Sequence, residues 1–114
     1  MDSRHPCTDT LYAPELIFAE CANALWKRVH RGWINTDGVA RALGDLMAVP
    51  LLTLRLRPLM SSALQLSLEL DHPVCDCYYL AAAIHNDCPL ATADECLYDL
   101  AQRVGFGERA ILVR

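Results

Sequence analysis

His72-Pro73-Val74-Cys75-Asp76-Cys77-Tyr78-Tyr79-Leu80-Ala81-Ala82-Ala83-Ile84-His85, then Pro89-Leu90-Ala91-Thr92-Ala93-Asp94, is the stretch whose reading decides the fold. His72-Pro73 interrupts what precedes it. A helix then runs from about Val74 to His85, with Tyr79, Leu80 and Ala83 facing inward. Pro89-Leu90-Ala91-Thr92 is too short for a helix and reads as a buried strand. A helix leading into a short apolar strand sets the rhythm for the rest of the chain.

Working upstream, Leu11-Tyr12-Ala13 reads as a strand. Pro14 suits the first turn of a following helix, where its missing N–H is not needed. That helix runs to Arg31, with Ile17, Cys21, Ala24, Leu25 and Val29 on one stripe. Lys27, Arg28, His30 and Arg31 fill its last turn, where cations suit the dipole, and Gly32 closes it. Thr36 is the expected N-cap of a second helix carrying Val39, Ala42, Leu43 and Leu46, and Pro50 blocks its continuation. Leu51-Leu52-Thr53-Leu54 is a strand, and Pro58 opens a third helix with Leu59, Ala63, Leu66 and Leu70 inward. Downstream, Glu95 to Arg103 is a fifth helix, broken by Gly105-x-Gly107, and Ala110-Ile111-Leu112-Val113 is a last strand. Strands separated by helices imply an α/β fold with a parallel sheet and helices on its faces. With no repeat or linker, residues 1–114 form a single domain, and 1–10 are expected to be irregular or disordered.

Composition narrows the function. Of 114 residues, 54% are hydrophobic and 21% charged, which excludes intrinsic disorder. A net charge of -4 argues against a protein held to DNA by a basic surface. It does not exclude an enzyme acting on nucleic acid, because bound cations supply positive charge locally. No charge-free run approaches about 18 residues, and the first ten residues lack an apolar signal core. The expectation is a cytoplasmic protein, not in a membrane, with its six cysteines mostly reduced. Cys75-x-Cys77 has poor spacing for structural zinc, since the two side chains diverge on a helix. No P-loop, dinucleotide fingerprint or serine-nucleophile elbow is present.

Three acids stand beside apolar runs: Glu20, Asp76 and Asp94. Each alone has a structural reading, as a charge favoured by a helix dipole or, for Asp94, as the N-cap of the fifth helix. Topology points elsewhere. Glu20 is early in the helix after the first strand, Asp76 begins the helix leading into the strand at Leu90, and Asp94 directly follows that strand. All three are expected at the carboxyl edge of the sheet, where open α/β proteins bind ligands. Oxygen-only ligands suit a hard cation, Mg²⁺ or Mn²⁺.

Ala13-Pro14-Glu15-Leu16-Ile17, Glu20-Cys21-Ala22-Asn23-Ala24-Leu25-Trp26-Lys27, His72 to Ala81 and Pro89 to Asp94, in that order, resemble the PIN domain and, more narrowly, VapC-type ribonuclease toxins of toxin–antitoxin systems. The resemblance covers residues 11 to 114. It implies a three-layer α/β/α domain and a Mg²⁺- or Mn²⁺-dependent endoribonuclease, inhibited by a cognate antitoxin and commonly a homodimer. Glu20, Asp76 and Asp94 would be three of the family's four acidic metal-site residues. Thr92 would support the last acid, and Asn23 matches a polar neighbour on the first helix. Lys27, Arg28 and Arg31, with Arg55 and Arg57, are candidate contacts to RNA phosphates. Trp26, near the apolar stripe, is read as core or interface.

The sequence departs from the family at its start. The resemblance implies a further strand, in the middle of the sheet, ending in the first catalytic aspartate. Ten residues before Leu11 cannot hold that strand and its crossover. Asp2 and Asp9 are the only acids there, and neither follows an apolar strand. The expectation is therefore an N-terminally truncated PIN-like domain with three acids and an impaired nuclease. The alternative is a catalytically inactive remnant that binds an antitoxin or associates with itself.

Overall fold

The computed structural model describes residues 11–113; Asp2, Asp9 and the expectation for residues 1–10 lie outside them. The element order is β1 (Leu11–Pro14), α1 (Leu16–His30), α2 (Thr36–Met47), β2 (Leu51–Leu54), α3 (Met60–Leu70), α4 (Val74–His85), β3 (Leu90–Thr92), α5 (Glu95–Arg103) and β4 (Ala110–Leu112), with short 3₁₀ turns at Arg57–Leu59 and Gly107–Arg109. The alternation of helix and strand is as expected, and the class is mixed α/β.

α4 is the centre of the molecule because its sequence is apolar on more than one face. Cys77, Leu80, Ala81, Ala82 and Ala83 are all buried. Ala81, Ala82 and Cys77 pack with Leu59 and Ala63 toward α3. Leu80 and Ala83 pack with Leu70, Leu90, Leu97, Leu100 and Ala101 toward β3 and α5. Alanines at positions 81–83 let neighbouring backbones approach closely. Asp71 ends α3 in the left-handed conformation at φ 52°, a cost that Asp tolerates better than most residues.

The strands differ from the expected single sheet. β1 pairs parallel with β2, Leu11 opposite Leu51 and Pro14 opposite Leu54. β3 pairs parallel with β4, Leu90 opposite Ala110 and Thr92 opposite Leu112. These are two separate two-stranded ribbons. α4 packs against both β1 and β3. A cleft of about 240 Å³ lies between them, with Tyr12, Pro14, Ala82, Ala83, Pro89 and Ala91 among its lining.

Three local expectations are corrected. Pro14 ends β1 instead of opening α1, which starts at Leu16. The cap of α2 is Asn35, not Thr36: its side chain accepts the Gly38 N–H at 2.8 Å. Trp26, read as core or interface, is 59% exposed, which removes core and leaves interface. α1 and α2 carry amphipathic stripes but no buried residue. Their apolar faces line an open cleft of about 500 Å³ that includes Phe18, Leu25, Leu43, Leu46 and Met47.

Candidate acidic site

Glu20 lies on α1, one turn beyond the end of β1, and is exposed. Asp76 lies in the first turn of α4, where the helix dipole favours a carboxylate. Both are held by residues of the α4 region. The Tyr79 hydroxyl donates to Glu20 Oε1. His72 Nε2 is 2.7 Å from Asp76 Oδ2, one helical turn apart, with the side chains 22% and 30% exposed. His72 precedes the Pro73 cap of α4, and Asp76 and Tyr79 are three residues apart within the helix, neighbours on one face.

Electrostatics tie the two acids to the same phenol. Partial burial holds the Tyr79 hydroxyl well above the usual tyrosine range. The bond to Glu20 adds to this, as do the charges of Glu20, Cys21 and Asp76. Tyr79 is therefore neutral and a hydrogen-bond donor across the ordinary pH range. Burial, with Asp76 next to it, also pushes the Cys77 thiol up. Cys77 is fully buried whereas Cys75 is exposed, the divergence expected of i and i+2 on a helix.

Asp94 is placed differently. Its Oδ1 accepts the Cys96 N–H at 2.8 Å and caps α5. Thr92 Oγ1 accepts the Asp94 N–H at 3.0 Å and so fixes the turn between β3 and α5. Among the described residues no group of three or more His, Cys, Asp or Glu side chains is disposed to hold a metal ion. The oxygen chemistry of Glu20, Asp76 and Asp94 suits Mg²⁺ or Mn²⁺, but each acid already has a protein donor and the three are not gathered into one ligand set. In this arrangement the residues do not fit a three-carboxylate metal centre.

Asn23 is exposed on α1, as are Lys27, Arg28 and Arg31 at its far end. That end is also aromatic. Trp26 stacks on His30 with centroids 5.0 Å apart, and the Arg31 guanidinium sits 5.1 Å from the Trp33 ring centre. Exposed cations beside exposed rings form a surface that can take phosphate and an unstacked base.

Sequence reasoning missed the roles of Tyr79 and His72. His72 carried a usable signal, four residues before Asp76. The helical period turns Tyr79 inward, and its ring is half-buried; nothing local reveals that its hydroxyl reaches a residue 59 positions away. Comparison with protein-family profiles and with curated proteins finds no match.

Proposed function

We propose that this chain is a PIN-like domain of the VapC toxin type, impaired as a Mg²⁺- or Mn²⁺-dependent endoribonuclease, that works mainly by binding: to a cognate antitoxin or to a second copy of itself. The observation that carries the reading is that each candidate ligand is engaged elsewhere, Glu20 by Tyr79, Asp76 by His72 and Asp94 by the α5 backbone. The apolar surface supports the binding half. α1 and α2 leave their stripes open, with Met47 75% exposed, and contiguous exposed apolar surface of this kind marks interaction sites. In this reading the two ribbons belong to one three-layer α/β/α domain, and the chain acts in the cytoplasm.

The catalytic alternative has its own support, the Tyr79 hydroxyl on Glu20 and the basic, aromatic end of α1. RNA would lie along α1, with Lys27, Arg28 and Arg31 holding phosphates and Asn23 beside the acids. The test is Mn²⁺ calorimetry together with cleavage of single-stranded RNA, on the chain and on Asp76→Ala. The binding reading expects neither tight Mn²⁺ binding nor cleavage. Mn²⁺-dependent cleavage lost in Asp76→Ala overturns it and establishes the nuclease.

A further inference from the structure

We infer that Ser62 and His85 form a serine–histidine dyad that takes a short acyl group from an uncharged, activated ester. The inference uses none of the residues of the acidic site and stands whether or not that site binds metal.

α3 and α4 are joined by the short turn at residues 71–73 and pack side by side, so the start of α3 meets the end of α4. Ser62 is in the first turn of α3, and His85 is the last residue of α4. Ser62 Oγ lies 2.6 Å from His85 Nε2, within the reach that a nucleophile and its base require. With the imidazole proton on Nδ1, the hydroxyl donates to Nε2. Nothing local marks the pair, since the nucleophile and the base come from different helices; such a site is recognised by geometry, not by sequence position. The helix ends suit the chemistry. Removing the serine proton leaves negative charge at the positive end of α3 and an imidazolium at the negative end of α4, so both dipoles favour the charge separation.

The pair borders a cleft of about 200 Å³. Leu66, Ala81 and Ile84 give it apolar walls, suited to an acyl chain from acetyl to butyryl. Gln65, one turn beyond Ser62 on the same face, donates one amide hydrogen to Glu69 at 3.1 Å and keeps a second for an acyl oxygen. Glu69 also lines the cleft, and its carboxylate disfavours an anionic substrate. Among the described residues the side-chain bond that His85 makes is to Ser62. Without a carboxylate bonded behind the imidazole the base is weaker, which limits the dyad to activated esters rather than amides.

The atoms balance over two steps. Ser62 Oγ attacks the ester carbonyl carbon, and its proton passes to His85 Nε2. The bond to the leaving oxygen then breaks, and that oxygen takes the proton from Nε2 and departs as the alcohol, leaving the acyl group on Ser62. Water attacks the acyl carbon and gives a proton to Nε2. Ser62 Oγ leaves, recovers that proton, and the carboxylic acid is released.

The test uses the whole 114-residue chain with diisopropyl fluorophosphate, which phosphorylates activated serines, and with p-nitrophenyl acetate. Mass spectrometry is expected to show a one-to-one phosphoryl adduct mapped to Ser62, and at short times an acetyl group on the same residue. Ser62→Ala should carry neither, and His85→Gln should form the phosphoryl adduct about a hundredfold more slowly. Both variants should keep their thermal transition, since Ser62 is half-buried and His85 exposed. If His85→Gln does not fold, the mapping on the unaltered chain decides. No adduct at Ser62, or an unchanged labelling rate in His85→Gln, overturns the inference. So do acetyl groups found only on the exposed Cys75 and Cys96, which would assign the reaction to free thiols.

Discussion

The Tyr79 hydroxyl on α4 donates to Glu20 Oε1 on α1 and joins two helices that are far apart in sequence. α1 buries no residue of its own, so this bond is one of few fixed points holding it against the central helix. Tyr79→Phe removes the donor and keeps the ring. A hydrogen bond to a charged acceptor at a half-exposed site contributes about 1 kcal/mol net. The expected loss in urea unfolding is of that size, with the midpoint lowered and the slope unchanged. An unchanged midpoint would mean that the bond is not made in solution.

The same phenol gives a pH signature. Its pKa is raised in the folded chain by burial, by the bond to Glu20 and by nearby negative charge. A group whose folded pKa is raised contributes stability that is full below its unfolded value, about 10 for tyrosine. That contribution is lost as pH rises through the folded value. The stability gap between the chain and Tyr79→Phe is therefore constant through neutral pH and begins to close above about pH 10. Ultraviolet titration of the four tyrosines should show one that ionises late, and Tyr79→Phe should abolish that late step.

Asp94 separates a cap from a ligand. Its carboxylate accepts the Cys96 N–H at the start of α5. Asp94→Ala should cost about 1 kcal/mol, and Asp94→Asn only a few tenths, because Asn caps nearly as well. A metal ligand would behave otherwise, since the amide cannot replace the carboxylate charge. Thermal unfolding of both variants, read beside Mn²⁺ calorimetry, distinguishes the two. Loss of Mn²⁺ binding in Asp94→Asn with stability retained would assign Asp94 to a metal site.

The helices and strands were legible because punctuation and periodicity agree at most boundaries. Pro73, Asp94, Gly32 and Gly105 stand at or beside the ends they mark, and α4 and α5 span Val74–His85 and Glu95–Arg103 as read. Boundary chemistry was less legible where two capping residues adjoin, as at Asn35-Thr36. Sheet continuity was not legible at all. Leu11–Ala13 and Pro89–Thr92 read as strands of one parallel sheet, yet strand pairing is non-local, and nothing in either segment says which neighbour it has. The acids were legible as individuals. Their common site was inferred from the carboxyl edge of one sheet, and the two ribbons do not bring Asp94 into a ligand set with Glu20 and Asp76.

An amphipathic stripe shows that a face is apolar, not that anything covers it, and α1 and α5 turn this into a last prediction. Leu97 on α5 is 5% exposed and lies in the main cluster with Leu80, Leu90 and Leu100. Leu25 on α1 reads equally well as inward but lies at the open cleft beside Leu43 and Leu46. Removing Leu97 beyond Cβ leaves a hole that close-packed neighbours cannot fill, so Leu97→Ala should cost about 3 kcal/mol. Leu25→Ala removes contacts on one side only, and water already reaches the rest, so its cost should stay below about 1 kcal/mol. Urea midpoints of the two variants give the comparison directly. Equal losses would mean that the α1–α2 face is covered in solution, and concentration dependence of the Leu25→Ala midpoint would then show a second copy as its cover.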